Sequence, residues 1–121
     1  MTVLADVKAE LADELIGAGI ASVDHIPSRI TPPLAIISPA GTYISQGDTF
    51  TSFELGLEIT LIAQTASNPK AQESLDDAIV TAIGAIPIRY RITSVDQPFA
   101  LQTGNAEYLA TRINVTTNIT I

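Results

Sequence analysis

The residues that could carry acid–base or metal chemistry are few and widely spaced in this chain. His25 is the single histidine, so no second histidine is present to complete a metal site, and no Gly-x-Ser-x-Gly motif supplies a nucleophile. Asp24 stands beside it, but two consecutive residues are weak evidence for a catalytic dyad. The absence of cysteine excludes a thiolate nucleophile, a cysteine-ligated zinc site and a disulfide framework. We therefore expect His25 to be structural or exposed to solvent.

The carboxylates do not suggest an acid–base pair. Glu54 and Glu58 fall on one face of a predicted strand, where a rise of about 3.3 Å per residue separates them by roughly 13 Å. This distance is too long for two carboxylates that act on one bond. Each glutamate can instead meet an arginine of a neighbouring strand, and the candidates are Arg89, Arg91 and Arg112.

No stretch of the sequence matches a phosphate-binding or calcium-binding loop. Gly17 and Gly19 follow a predicted helix rather than a strand and lack the third glycine of a dinucleotide-binding loop. None of the acidic spacings fits a calcium loop. We therefore predict no catalytic residue, no metal ligand and no cofactor, and we expect the chain not to be an enzyme.

The composition predicts one globular domain over residues 1–121. Of the 121 residues, 46% are hydrophobic and 16% are charged, so we do not expect global disorder. Six Lys and Arg against 13 Asp and Glu give a net charge of −7, which argues against a protein that grips duplex DNA through its phosphates. We expect no signal peptide, because the N-terminus lacks a basic segment and a long apolar run, and no membrane span.

Hydrophobic periodicity predicts two helices and several strands. Residues 53–63 and 107–121 alternate apolar and polar side chains, whereas Leu11 and Leu15 belong to a stripe at helical spacing. The predicted elements, in order, are helix 2–18, connector 20–33, strand 34–37, loop or short strand 43–49, strand 53–63, helix 69–84, strand 88–95, extended segment 99–101, turn 103–105 and strand 107–121. This order predicts an α+β fold, a two-layer sandwich of a mostly antiparallel sheet with two helices packed on one face.

Four stretches, in their order along the chain, resemble tail terminator (tail completion) proteins of long-tailed bacteriophages, especially those of actinobacterial phages. They are the N-terminal helix, then residues 27–33 (Pro-Ser-Arg-Ile-Thr-Pro-Pro) leading into 35–39, then the strand 54–63, and finally Asp96-Gln97-Pro98 followed by residues 108–115. The resemblance covers nearly the whole chain, and its motifs are not catalytic signatures.

The resemblance implies a structural role in the virion. Such proteins form a hexameric ring at the head-proximal end of the tail, cap the last ring of tail tube protein, stop polymerisation and join the tail to the head–tail connector protein. DNA passes through the ring without sequence-specific binding, and the protein is made in the host cytoplasm. Two alternatives stay open: another connector or head-completion protein, and a small cytoplasmic ligand-binding α+β module.

Two sets of candidate residues follow for such a ring. The candidate acidic lumen residues are Asp6, Glu10, Asp13 and Glu14 on the first helix, and Glu54 and Glu58 on the central strand; the sequence does not decide which set faces inward. The candidate subunit or tube interface consists of apolar residues in predicted loops, namely Tyr43, Ile44, Phe50, Pro98 and Phe99. The aromatic residues of this second set can equally close the ends of the core of their own subunit.

Overall fold

The chain forms an α+β fold with a mostly antiparallel sheet, as the sequence predicts. The computed structural model describes residues 3–23, 33–46, 52–65, 69–88, 90–103 and 106–120. The elements in these residues are α1 (Val3–Gly17), β1 (Ala21–Val23), β2 (Leu34–Gln46), β3 (Ser52–Thr65), α2 (Ala71–Ala85), β4 (Arg91–Val95), β5 (Phe99–Thr103) and β6 (Ala106–Thr120).

The six strands form one sheet in the order β1-β2-β3-β6-β4, with β5 also paired to β6. Only the β1–β2 pair is parallel. Because β3 occupies one side of β6 along its length, β4 and β5 share the other side: Arg91 lies opposite Thr116, and Phe99 lies opposite Ala110. The chain from β4 to β5 therefore follows one edge of the sheet, interrupted at residues 96–98.

Alternation along β3 and β6 separates the two faces of the sheet. Buried side chains of α1 and α2 join one apolar cluster with alternate strand residues, which include Leu55, Leu57 and Ile59 of β3 and Ile113 and Val115 of β6. We call this side the inner face. The residues between them, such as Glu54, Glu58, Thr60, Arg112 and Asn114, form the outer face. The alternation predicted for both strands is confirmed.

Helix α1 ends in a glycine motif that the sequence predicts. The N–H of Ile20 donates to the carbonyl of Leu15 at 3.0 Å, and the N–H of Gly19 donates to that of Ile16 at 3.0 Å. Gly19 has a φ of 95°, which is favourable for glycine alone. Ile20 and Leu15 are both buried, as this motif requires, and the chain then turns into β1.

The first half of the sheet differs from the sequence prediction. Residues 21–23, assigned to a connector, form β1, a strand too short to show a period. The predicted strand 34–37 continues through Pro39 to Gln46 and includes most of the segment predicted as a loop or short strand. Proline is tolerated there because β1 pairs only with Leu34–Ile36, so β2 is the outermost of the described strands at Pro39.

Two other boundaries are also displaced from their predicted positions. Helix α2 begins at Ala71 with Lys70 as its N-cap, so Pro69 lies in the preceding turn rather than in the first helical position. Strand β4 begins at Arg91, and Ile88, predicted to start it, is a fully exposed turn residue. Asn68, the residue before the predicted helix, and Gly104 and Asn105 of the predicted turn lie outside the described residues.

The glycine motif predicts opposite effects of one substitution at two nearby positions. Gly19→Ala should lower the free energy of unfolding by about 1 kcal/mol or more, because an L side chain is strained at this φ. Gly17→Ala, in the last turn of α1 where an added methyl group would meet no neighbouring atom, should be neutral or stabilise by up to about 1 kcal/mol. Urea unfolding of both variants measures the difference; equal effects would contradict the motif.

Candidate functional site

The two sets of candidate lumen carboxylates lie on opposite sides of the sheet. Asp6, Glu10, Asp13 and Glu14 are on α1, whose buried side chains contact the inner face. Glu54 belongs to the outer face, as does Glu58. The structure therefore does not combine the six carboxylates into one surface, and a lumen could contain one set or the other.

Glu58 has the cross-strand arginine partner that the sequence predicts. Its Oε1 lies 3.7 Å from Nε of Arg112, and both side chains are partly exposed. The pair is diagonal, since Arg112 lies directly opposite Thr60 and Glu58 lies opposite Asn114. An ion pair in this setting contributes at most about 1 kcal/mol. Arg89, another candidate partner, lies outside the described residues.

Arg112 also covers the ring of Phe99, a candidate interface residue. The guanidinium carbon lies 4.5 Å from the ring centroid, within the range of a cation–π interaction. Phe99 in turn packs against a second apolar cluster, which lies on the outer face and contains Leu34, Ile36, Ile62 and Ala110. Phe99 thus contributes to the core of its own subunit, which is the alternative that the sequence left open.

The other interface candidates occupy different settings. Tyr43 is half-buried, packs against the main cluster and lies under Nζ of Lys8 at 5.2 Å from the ring centroid. Ile44, the next residue, is 39% exposed. Pro98 is half-buried in the interruption between β4 and β5, and Phe50 lies outside the described residues. Of these residues, Ile44 exposes the most apolar surface.

Hydrogen bonds fix the interruption between β4 and β5. The amide of Asn114 donates to Oγ of Ser94 at 3.0 Å and to Oδ1 of Asp96 at 3.1 Å. The hydroxyl of Thr111 donates to the Asp96 carbonyl, and the Asp96 N–H donates to the carbonyl of Arg112 at 2.8 Å. These polar side chains are therefore structural, and Asn114 lies on the polar side of a strand as its spacing predicts.

A cleft that the sequence did not predict lies between the end of α1 and one flank of α2. Its volume is about 340 Å³, and its lining includes Gly19 and the α2 residues Ser74, Asp77 and Thr81. These three residues are spaced i, i+3 and i+7 along the sequence, a spacing that places them on one flank of a helix. Asp77 and Thr81 are exposed, so the cleft is open to solvent.

Metal-binding groups and membrane-spanning helices are absent from the described residues. Within them, no three His, Cys, Asp or Glu side chains are grouped so that they could hold a metal ion. His25 lies outside the described residues. Neither α1 nor α2, the helices of the described ranges, has the length and hydropathy needed to cross a membrane.

Comparison with models of known protein families found no match to this chain, and comparison with curated proteins found no relative.

The contact between Arg112 and Phe99 predicts an energetic coupling. In a double-mutant cycle of Arg112→Met and Phe99→Leu, the coupling free energy should be about 0.5–1 kcal/mol, the range of an exposed cation–π pair. Arg112 also pairs with Glu58. A second double-mutant cycle, of Arg112→Met and Glu58→Gln, therefore measures the coupling free energy of this ion pair apart from that of the Phe99 contact. Its coupling should fall as salt is added, since exposed ion pairs are screened. A Phe99 coupling near zero in urea unfolding would contradict the stacking.

Proposed function

We propose that this chain is a structural protein of a long-tailed bacteriophage virion and forms a ring, hexameric by its resemblance, at the head-proximal end of the tail. The ring caps the last ring of tail tube protein and so ends polymerisation of the tube. Its other side binds the head–tail connector protein, and the genome passes through its centre without sequence-specific contacts.

The observation that carries this proposal is the exposure of carboxylates on both sides of the sheet. Asp13 and Glu14 of α1 and Glu54 of β3 are exposed, and none of them forms an ion pair within the described residues. Non-specific DNA binding depends on cationic contacts with phosphates, so an acidic wall keeps a passing duplex from adhering. Either side of the sheet can supply such a wall.

We also propose that the helices and the sheet form a two-layer sandwich. Helix α1 contacts β1 and β2, and α2 contacts β3 and β6, so the helices lie side by side over successive strands. Both contribute to the same apolar cluster with the inner face. This arrangement supports a ring protein, because within the described residues both helices lie on the inner face and leave polar residues of the outer face, such as Glu54, exposed.

The cleft at the end of α1 favours a second candidate, a small ligand-binding α+β module. Ser74, Asp77 and Thr81 supply convergent polar groups on one side of it. Ligand pockets usually enclose most of their ligand, whereas Asp77 and Thr81 are exposed to solvent. We therefore place this candidate below the virion role. A head-completion role uses the same surfaces as a tail terminator and is separated from it by experiment.

Particles assembled without this chain test the proposed function. We expect filled heads beside tails of abnormal length, because nothing ends polymerisation of the tube, and electron microscopy measures the length distribution. Filled heads without tails, beside tails of normal length, would indicate a head-completion protein instead. Normal virions would contradict both roles.

Matched charge reversals identify the side of the sheet that faces the DNA. Glu54→Lys and Asp13→Lys change the charge equally at exposed positions on opposite sides. The variant on the lumen side should slow DNA ejection and make its rate depend more steeply on salt, because each added phosphate contact increases the salt dependence. The other variant is the control. Unchanged ejection in both variants would contradict an acidic lumen formed by either set.

A further inference from the structure

Exposed large apolar side chains are concentrated on β2 and in the segment from α2 to β4. In the described part of the chain, six large apolar residues are exposed. One of them lies on β2, and four lie in the segment from α2 to β4. Ile44 is on β2, and the other four are Val80 (72% exposed), Ile83 (41%), Ile88 (103%) and Val95 (37%). Soluble monomers seldom expose apolar side chains in such groups, so the distribution indicates contact surfaces.

The exposed residues of α2 lie on the side of the helix that faces β4. One flank of α2, with Ser74 and Thr81, lines the cleft beside the end of α1. Ile83 is two positions beyond Thr81, which places it on the opposite flank of the helix. Since α1 lies over β1 and β2, that opposite flank faces the β4 edge, where Val95 also points to the inner face opposite Ile113. We call Val80, Ile83, Ile88 and Val95 the α2–β4 patch.

At the other edge of the sheet, part of β2 has no neighbouring strand among the described residues. β1 pairs with β2 only at Leu34–Ile36, and no described strand pairs with the outer side of residues 37–45. Thr116 lies opposite both Gly56 and Arg91, and Gly56 lies opposite the irregular segment Pro39–Ile44 of β2. The start of β4 and the Pro39–Ile44 segment of β2 therefore lie at corresponding levels of the sheet, whereas Val95, opposite Ile113, lies level with Ile59 and Ile37.

From these positions we infer that the α2–β4 patch of one copy binds the Tyr43–Ile44 corner of the next copy. Ile44 lies opposite Leu55 and so projects to the inner face, the side on which Ile83 and Val95 are exposed. Strands β2 and β4 run in opposite directions, so copies in the same orientation bring them together antiparallel. The contact itself follows from these surfaces, whereas its closure into a ring rests on the proposed function.

Charge also favours a second copy as the occupant. Lys8 lies over the ring of Tyr43 and so gives the Tyr43–Ile44 corner a positive charge. Asp76 is exposed on α2 one turn before Val80, and it gives the α2–β4 patch a neighbouring negative charge. Two different surfaces meet in this contact, which makes it heterologous and capable of closing into a ring. Pro39 and the irregular register of β2 interrupt its edge, so side chains rather than a continuous backbone ladder form the contact.

Cross-linking tests the contact directly, because the chain has no natural cysteine. A short bismaleimide should convert concentrated Ile44→Cys/Ile83→Cys protein into a ladder of oligomers. Each single-cysteine variant should stay monomeric, and an equal mixture of the two should give a dimer. A mixture that stays monomeric, or a dimer formed by Ile83→Cys alone, would overturn the proposal.

Charged variants test whether the contact is head-to-tail. Ile44→Glu and Ile83→Glu should each weaken self-association about tenfold or more, as expected when a charge enters an apolar contact. Their mixture should form a one-to-one dimer, because each variant keeps the surface that the other has lost. Thr81→Glu, on the cleft flank of α2, is the matched control. Sedimentation velocity measures association, and circular dichroism measures folding.

Two results of this second experiment would overturn the proposal: no dimer in the mixture of folded variants, or an equal loss of association in Thr81→Glu. If Ile44→Glu does not fold, the mixture of single-cysteine variants still decides the question. An oligomer ladder from a chain whose loss leaves tail length normal would contradict the proposed function and leave the contact intact.

Discussion

Burial of alternate residues of β3 in the apolar cluster that both helices share is the interaction on which the rest of the structure depends. Leu55, Leu57, Ile59 and Leu61 have no exposed surface, and each contributes about 1.5–3 kcal/mol when fully buried. The chain has no tryptophan and few aromatic residues, so this aliphatic contact provides most of the core. Because side chains in a strand alternate, a register shift of one residue would bury Glu54 and Glu58 instead. The core therefore fixes the position of the carboxylates on the outer face.

The same constraint determines where charge and apolar surface can appear. Helix α1 buries Leu11 and Leu15, which leaves its acidic residues on the side away from the sheet. Among the described residues, the large apolar side chains that remain exposed include Ile44 on β2 and four residues of the segment from α2 to β4. Acidic surfaces on both sides and apolar surfaces at both edges are thus consequences of one packing arrangement. A ring of such subunits places its contacts at the edges and leaves the charged surfaces for a channel and for solvent.

Long periodic segments were predictable from the sequence, and features that depend on distant residues were not. The strands β3 and β6 and the glycine end of α1 follow from local patterns, which the structure confirms. β1 is three residues long and exists because β2 lies beside it, and β2 passes through a proline where no described strand pairs with its outer side. The diagonal pairing of Glu58 with Arg112 was among the predicted possibilities, but the stacking of Arg112 on Phe99 depends on the path between β4 and β5. Neither the cleft nor the α2–β4 patch has a local signature, since both require two elements to meet.

A sheet with exposed apolar residues would aggregate if any strand could add to its edges, so the contact that we propose between copies has to be selective. Pro39 and the irregular register of β2 limit pairing at one edge, and a register shift between Ile92 and Ser94 limits it at the other. The net charge of −7 also opposes unspecific contact between copies. The contact that we propose brings exposed apolar side chains of the inner side together, with Lys8 near the carboxylates of α2. Selectivity of this kind would favour an assembly of defined size over open-ended growth, because the proposed contact joins two different surfaces and requires apolar and charged groups to match together.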